Sequence, residues 1–298
     1  MIPPRRIILG GGGIRLCATV GVLKGLEERG LLKSVKEIGG VSAGAWLAFM
    51  VAAGLNMKTI ETLVHDVDFS IIRNITPDAF LGFPENYGID DGAKLTRFLE
   101  SLVRVALKID TNITFQGLAN LHLSKMTFRC WATDVNSRTI KELSVSKTPN
   151  MKVIEALRAS MALPLYFTPV VDPITGHLLS DGALLGNLPM HHLTEEECSE
   201  TLGITFCNEL PDPKKTMDLF GFIDAIFNSL VHSRNENVKS KWGHRIIEIP
   251  AGGLPAWNFE ASREQRGMLF HTGYTTCNKW LAKNSSGSRP MIRRHSVQ

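Results

Sequence analysis

The chain has 298 residues, of which 44% are hydrophobic and 21% are charged, and its net charge is +4. This is the composition of an ordinary globular protein, and the length allows a large buried core. The mild positive charge is spread along the sequence, so it gives no indication of a nucleic-acid partner and slightly favours anionic membrane surfaces.

The N-terminal segment and the most apolar window are both too short to act in a membrane. Only three apolar residues follow Arg6 before a glycine run, fewer than the hydrophobic region of a secretory signal needs. The window from Ala45 to Leu55 falls far short of the roughly 20 residues that span a bilayer. We therefore expect a soluble protein.

The cysteines are odd in number and widely spaced, and the sequence has neither a C-x-x-C motif nor a Cys/His cluster. We interpret them as buried thiols in a reducing compartment, and we predict neither a metal site nor a bound cofactor. They are Cys17, Cys130, Cys198, Cys207 and Cys277.

The first predicted unit is a strand, a glycine turn and a helix. Arg5 to Leu9 is typical of a short buried strand, four glycines follow at positions 10–13, and apolar residues then recur at helical spacing from Leu16 to Leu26. The glycines leave several N–H groups exposed at a helix start, which is a ready anion site. Three uses compete for it: a phosphate loop, a dinucleotide fingerprint and an oxyanion hole.

The local sequence argues against both nucleotide-binding interpretations, the phosphate loop and the dinucleotide fingerprint. A Walker loop needs Gly-Lys-Ser/Thr after the glycines, and none follows. The dinucleotide fingerprint needs glycine where Leu16 stands, and the acidic residue about 20 positions on, Glu37, does not end a second strand.

The second unit contains the pentad Gly40-Val41-Ser42-Ala43-Gly44, a G-x-S-x-G pattern between a short apolar strand and a run of helix formers. Small residues at Gly40 and Gly44 permit a sharp strand-to-helix turn that pushes the Ser42 hydroxyl outward, at the positive end of the helix. Taken alone, the pentad fits an ordinary strand-to-helix connection equally well.

The spacing of the two turns favours an oxyanion hole. Gly13 and Ser42 are separated by the length of one helix and one short strand, which is typical of a right-handed β-α-β crossover. Adjacent parallel strands end on the same edge of a sheet, so the glycine N–H groups should face the serine hydroxyl. Acyl transfer requires that arrangement, and together the two turns predict a serine hydrolase.

Two Asp-Gly-Ala tripeptides follow. The first begins at Asp91 and opens a predicted helix, so we interpret Asp91 as an N-cap. The second, Asp181-Gly182-Ala183, ends an apolar strand, and a turn-forming aspartate explains it as readily as a catalytic one. The aromatic loop at 76–87, before the first tripeptide, is predicted as a folded-under cover more often than as a membrane tip.

The remaining elements are taken from periodicity alone. We predict strands at 125–134, 202–207 and 245–249, helices at 153–161, 219–231 and 262–281, and a proline-rich link at Pro211 and Pro213. We predict one hydrolase domain over residues 1–283, whose motifs lie between residues 5 and 190. A disordered tail at 284–298 follows it.

Three segments together resemble the patatin-like phospholipases. Gly11-Gly12-Gly13-Ile14-Arg15 is similar to that family's G-G-G-x-R/K oxyanion loop, Gly40 to Gly44 to its nucleophile elbow, and Asp181-Gly182-Ala183 to its D-G-G/A motif, continued by Asn187 and Pro189. A fourth segment, from Ala156 to Pro164, is similar to the one that precedes the family's aspartate. Leu16 departs from the family's usual glycine.

The resemblance implies a three-layer α/β/α fold with a mainly parallel central sheet and hydrolysis of lipid acyl esters at an interface. We therefore expect a cytoplasmic protein whose contact with membranes or lipid droplets is peripheral. By position, Ser42 would be the nucleophile and Asp181 the general base of a dyad, and an acyl-enzyme would form. The N–H groups of Gly11, Gly12 and Gly13, helped by Arg15, would hold the oxyanion.

Two alternatives stay open at this point. An α/β-hydrolase would use a Ser-Asp-His triad, for which His191, His192 or His232 could supply the base. A catalytically inactive lipid-binding module could also carry the same fold.

Overall fold

The computed structural model describes residues 2–207, 219–250 and 254–285. The proline-rich link at Pro211 and Pro213 and residues 286–298 of the predicted tail lie outside the described residues. The described part of the chain forms ten strands and twelve α-helices.

The strands are β1 (Arg6–Leu9), β2 (Glu37–Val41), β3 (Gly88–Asp90), β4 (Thr127–Asp134), β5 (Thr139–Ser144), β6 (Leu165–Phe167), β7 (Val170–Val171), β8 (Leu178–Asp181), β9 (Thr201–Phe206) and β10 (Ile246–Ile249). The helices are α1 (Leu16–Glu28), α2 (Ala43–Ala52), α3 (Met57–Asp66), α4 (Pro77–Leu81), α5 (Phe83–Asn86), α6 (Ala93–Leu102), α7 (Phe115–Asn120), α8 (Val153–Ser160), α9 (Ala183–Gly186), α10 (Glu195–Ser199), α11 (Leu219–Trp242) and α12 (Arg263–Ser285).

The central sheet has the strand order β10-β9-β1-β2-β4-β8-β7, with β5 paired to β4 outside this path. The five strands from β10 to β4 are parallel, whereas β5, β7 and β8 pair in antiparallel fashion. Strands β3 and β6 form a separate two-stranded parallel sheet. The predicted mainly parallel α/β fold is confirmed.

Both faces of the central sheet are buried, which gives the predicted three layers. Ile7 and Leu9 of β1 point into one hydrophobic cluster, which includes residues of α1, α2, α3, α8 and α12. Ile8 points into a second cluster on the other face, with residues of α9 and α11. Successive residues of a strand face opposite ways, so a fully apolar strand such as β1 serves both layers.

Helix α11 and the segment at 76–87 differ from the prediction. Helix α11 continues to Trp242 instead of ending at Val231, because the polar stretch after Val231 includes Asn235 and Val238, which are buried against the sheet. The predicted loop at 76–87 contains the short helices α4 and α5, and its Phe80, Leu81 and Tyr87 are exposed rather than folded under.

The closing helix α12 also runs further than predicted, through Ser285. Five cysteines are free thiols, and all except Cys207 are buried. Within the described ranges, no helix has the combination of length and apolar character that crossing a bilayer requires.

Candidate active site

The glycine turn and the serine elbow lie side by side, as the spacing predicted. Strands β1 and β2 pair in parallel, with Leu9 opposite Gly40, so the turns that follow them emerge at the same edge. A Cβ on Gly44 would lie 2.5 Å from the Leu9 carbonyl oxygen and 2.6 Å from that of Gly10. Glycine is therefore required at position 44 for α2 to begin against the glycine turn.

Ser42 lies in a strained backbone conformation at the start of α2. Its φ of 54° and ψ of −129° fall in a region that L-residues rarely adopt. A Cβ on Gly40 would lie 2.3 Å from the Gly44 carbonyl oxygen, so the turn closes tightly on itself. These are the features of a nucleophile elbow.

Ser160, at the end of α8, fixes the backbone of the elbow through hydrogen bonds. The Ser42 N–H donates to the Ser160 Oγ at 3.0 Å, and the Ser160 hydroxyl in turn donates to the Trp131 carbonyl oxygen at 2.6 Å. Ser160 is fully buried, so this bridge ties the strained backbone to β4 without water.

Strands β2 and β8 meet end to end along one edge of β4. Strand β5 occupies the other edge of β4 from Arg129 to Asp134. Strand β2 ends with Val41 opposite Trp131, and β8, which runs the opposite way, ends with Asp181 opposite Ala132. Ser42, which follows β2, and Asp181, which completes β8, are therefore brought together, although they are 139 positions apart in the chain.

Asp181 is held by its backbone and by its carboxylate. Its N–H donates to the Ala162 carbonyl oxygen at 2.8 Å, and its carbonyl oxygen accepts from the Thr133 hydroxyl at 2.9 Å. Its Oδ1 accepts from the Ala183 N–H at 2.9 Å, and the Ser42 side chain lies within hydrogen-bonding reach of the carboxylate. The fold thus brings the predicted pair of Ser42 and Asp181 together.

Burial raises the pKa of Asp181 to about 6, against the opposing effect of the hydrogen bonds from Ser42 and Ala183. Desolvation disfavours the charged form of a carboxylate, so a buried aspartate becomes a stronger base. Gly182 allows the close approach, because a Cβ there would lie 2.4 Å from the Trp131 carbonyl oxygen and 3.1 Å from a Val41 methyl carbon. Ala183 begins α9 and is buried.

The structure corrects the prediction for Gly11. Its N–H already donates to the Asn187 Oδ1 at 2.7 Å, and the Asn187 Nδ2 donates back to the Gly11 carbonyl oxygen at 3.3 Å. The Gly11 N–H is therefore not available to an oxyanion. Its absent side chain matters instead, because a Cβ there would lie 2.9 Å from the Ser42 Cβ.

Gly12 and Gly13 have the N–H groups that the site leaves open, since neither donates to another group in the described part of the chain. Gly13 has a φ of +54°, which favours glycine, and a Cβ there would overlap the Ala256 carbonyl group. A Cβ on Gly12 would lie 2.4 Å from the Phe206 ring. Both positions are thus closed to any larger residue.

Arg15 connects the glycine turn to the segment after β10. Its Nε donates to the Leu254 carbonyl oxygen at 2.7 Å, and the neighbouring Ile14 N–H donates to the Ala256 carbonyl oxygen at 2.8 Å. These contacts hold residues 254–256 beside the glycine turn. A role for Arg15 toward an oxyanion stays a prediction.

No histidine forms a hydrogen bond with Ser42 or Asp181 in the described residues. His191 lies beside His192 and next to Gly186. Its pKa is lowered to about 4, mainly by burial and to a smaller extent by the charges of His192 and Arg234. His232 lies 3.8 Å from Glu236, one turn further along α11. Over the same residues, no three His, Cys, Asp or Glu side chains are grouped to hold a metal ion.

Two side chains of the site, Ser160 and Asn187, were not assigned a role from the sequence. Each lies in a segment that resembles the family, but a single buried serine or asparagine gives no periodic signal. Their partners, Ser42 and Gly11, are 118 and 176 positions away, so only the folded chain identifies them.

Comparison with known proteins identifies the family of this chain. The profile of the family described as patatin-like phospholipase matches residues 7–194, which include the glycine turn, the elbow and Asp181. The chain belongs to the patatin-like phospholipase family. Membership of this family supports lipid hydrolysis as the general class of activity.

Relatives of this patatin-like chain include viral and animal proteins. Protein R571 of Acanthamoeba polyphaga mimivirus is 26% identical over 289 residues, which is 94% of each chain. Human patatin-like phospholipase domain-containing protein 6 is 31% identical over 183 residues, which is 61% of this chain but only 12% of the human protein. Among solved structures, VipD from Legionella pneumophila has the same fold with a TM-score of 0.62 at 18% identity, covering 94% of this chain and 67% of VipD.

Proposed function

We propose that this protein hydrolyses carboxylic esters of lipids through Ser42 and Asp181, by way of an acyl-enzyme. The observation that carries the proposal is that the side chain of the strained Ser42 lies within hydrogen-bonding reach of the buried Asp181 carboxylate. A nucleophile in contact with a base, next to open N–H groups, is the arrangement that acyl transfer needs.

In the first half-reaction, the Ser42 Oγ attacks the ester carbonyl carbon while its proton passes to the Asp181 carboxylate. Negative charge then develops on the former carbonyl oxygen, where the N–H groups of Gly12 and Gly13 would stabilise it. The C–O bond to the alcohol breaks, and the leaving alcohol takes the proton from Asp181. The fatty acyl group is left on Ser42 as an ester.

In the second half-reaction, Asp181 takes a proton from water, and the resulting hydroxyl attacks the acyl carbon. The new tetrahedral centre collapses, the bond to Ser42 breaks, and the Ser42 oxygen recovers its proton from Asp181. The products are the fatty acid and the free enzyme, so each proton that Asp181 accepts is returned within the same half-reaction.

A dyad without histidine needs an aspartate that is basic enough near neutral pH. An ordinary aspartate has a pKa near 3.9, which makes it a weak base, whereas burial raises that of Asp181 to about 6. The fixed Gly12 and Gly13 donors supply the other requirement, because one oxyanion donor is worth about 2.7–4 kcal/mol of activation free energy in a comparable site.

Lipid esters are the substrates that the family membership supports, and we propose phospholipids, lysophospholipids or triacylglycerols presented at a membrane or micelle surface. The neighbourhood of the oxyanion turn suits acyl chains. The Phe206 ring lies against Gly12, and residues 254–256 are held beside Gly13.

Fluorophosphonate labelling followed by product analysis tests the proposal. Wild-type protein is expected to form an adduct on Ser42 and to release fatty acid from phospholipid vesicles. Ser42→Ala should lose both, and Asp181→Asn should reduce hydrolysis at least a thousandfold.

Asp91→Asn is the matched control, because Asp91 stands in the same Asp-Gly-Ala tripeptide and also accepts a hydrogen bond from the N–H two residues on, at 2.9 Å. It should hydrolyse like wild type. Folded wild-type protein that forms no adduct on Ser42 would refute the proposal in favour of a lipid-binding module.

A further inference from the structure

Three apolar side chains form an exposed row on the first half of α11. Phe222, Ile226 and Leu230 are 55%, 50% and 47% exposed, and they follow one another at intervals of four residues. Side chains four apart share one face of a helix. We call this row the α11 stripe.

The same half of α11 already has an apolar face that is buried. Phe227 and Val231 pack against the second hydrophobic cluster, which includes Ala183 beside Asp181. They follow Ile226 and Leu230 by one residue, which is about 100° around the helix. A surface helix needs one apolar stripe to pack on its domain, and a second one indicates a further apolar partner.

The α11 stripe lies at the edge of the sheet that carries Ser42. Helix α11 leads from the carboxyl end of β9 back to the amino end of β10, and Asn235 contacts Thr205 near the carboxyl end of β9. Phe222 precedes Asn235 by 13 residues, which is roughly 20 Å of helix. The stripe therefore extends past the carboxyl edge, where the active-site turns lie.

We propose that the α11 stripe inserts into the surface of a phospholipid layer and holds the active site against it. This docking role rests on the proposed lipid hydrolysis, since it explains how the site would reach esters packed in a layer. Between Asp224 and Glu236 the sequence has no acidic residue and includes Arg234, so phosphate headgroups meet no repulsion along the part of the helix that carries Ile226 and Leu230.

Two other occupants fit the stripe less well. Three half-exposed side chains cover much less than the roughly 800 Å² per partner that a stable dimer buries. The segment at 208–218 has the sequence NELPDPKKTMD, which offers only Leu210 and Met217 as large apolar side chains against a row of three.

A matched control exists at the opposite edge. Leu121 and Leu123 are 46% and 44% exposed, close to the values for the stripe. They shortly precede β4, and the Leu123 carbonyl group lies beside Gly54, just after the end of α2. Since α2 begins at the carboxyl edge and β4 ends there, this pair lies at the amino edge, away from Ser42.

The test compares vesicle binding with hydrolysis of a monomeric ester. Binding to phosphatidylcholine vesicles is measured by cosedimentation, with Ser42→Ala in every chain so that the lipid stays intact. Hydrolysis of a water-soluble butyrate ester is measured with Ser42 present. The variants are the triple change Phe222→Asp, Ile226→Asp and Leu230→Asp, and the control change Leu121→Asp and Leu123→Asp.

The triple variant should lose at least tenfold in vesicle affinity, because three apolar side chains that would be buried in the lipid layer are replaced by charged ones. It should keep wild-type hydrolysis of the butyrate ester, and the control variant should keep both. If wild-type protein fails to cleave the butyrate ester, the proposed function fails. Unchanged vesicle binding of the triple variant overturns only the docking proposal.

Two other results would also overturn the docking proposal. One is loss of binding on changing the exposed Phe80 and Leu81 to Asp while the triple variant still binds, which would place the contact on α4. The other is a wild-type dimer in sedimentation that the triple variant abolishes, which would make a second copy the occupant.

A second measurement applies if the triple variant does not fold. An environment-sensitive fluorophore on Leu230→Cys should shift to the blue when vesicles are added, and the same fluorophore on Leu123→Cys should not. Equal shifts at the two positions would refute the proposal.

Discussion

Asp181→Asn is expected to make the protein more stable at pH 8 while it abolishes hydrolysis. Burial of Asp181 raises its pKa from the ordinary 3.8 to about 6, so the folded protein holds this carboxylate in an environment that favours its neutral form. Asparagine has nearly the same shape and carries no charge. Its carbonyl oxygen can accept from the Ala183 N–H, and its amide can donate to the Ser42 oxygen.

The size of the effect follows from the pKa shift. A rise of about 2 pKa units is equivalent to about 3 kcal/mol in the free energy of unfolding, since each unit is worth 1.36 kcal/mol. Between about pH 4 and pH 6 the folded state binds more protons than the unfolded state, so stability decreases as the pH rises through this window. Above pH 6 the penalty is complete, and below pH 4 it is absent.

Urea unfolding at pH 8 and pH 4 measures this prediction. The variant should gain up to about 3 kcal/mol over wild type at pH 8 and little at pH 4. Asp91→Asn is again the control, and its change in the free energy of unfolding at pH 8 should have the opposite sign. Although partial burial by itself raises the pKa of Asp91, its hydrogen bonds with Ala93 and Asn74 and the charges of Arg158 and Arg97 lower it overall.

Loss of stability in Asp181→Asn at pH 8, with a gain in Asp91→Asn, would refute this account of the site. It would mean that the hydrogen bonds to the Asp181 carboxylate outweigh its desolvation.

Four further results are expected. Wild-type kcat/KM on a monomeric ester should rise with pH through about 6 and then level off, since Asp181 must be deprotonated to act as a base; a flat profile from pH 5 to 7 would count against it. Ser160→Ala should cost about 1–3 kcal/mol in urea unfolding by leaving the part-buried Ser42 N–H without its partner, and should lower kcat. Gly11→Ala should lower kcat at least tenfold with fluorophosphonate labelling slowed in parallel, because its Cβ would press on the Ser42 Cβ. His191→Ala and His192→Ala should each retain wild-type hydrolysis, and loss of activity in either folded variant would revive a triad.

The local turns could be predicted because short-range sterics dominate them. Glycines at positions 40 and 44 leave room for a tight strand-to-helix turn around Ser42, and the glycine run before Ile14 has the backbone freedom that its turn requires. The order of the motifs indicated the family, and the family implied the fold, including the mainly parallel sheet.

Long-range pairing decided the rest. Nothing near Asp181 in the sequence shows that β8 runs against β4 and ends on the same edge as β2, which is what brings the carboxylate to the serine. For the same reason the sequence predicted Gly11 as an oxyanion donor, whereas Asn187, 176 positions away, already binds its N–H.

The sequence by itself determined the two sharp turns, the alternation of strands and helices and the family, because each depends on residues that are close in the chain. Only the tertiary structure decided which donors stay open, how basic Asp181 becomes and which apolar side chains remain exposed. Desolvation and strand pairing depend on the groups that surround a residue in space, and the chain brings most of those groups from far away.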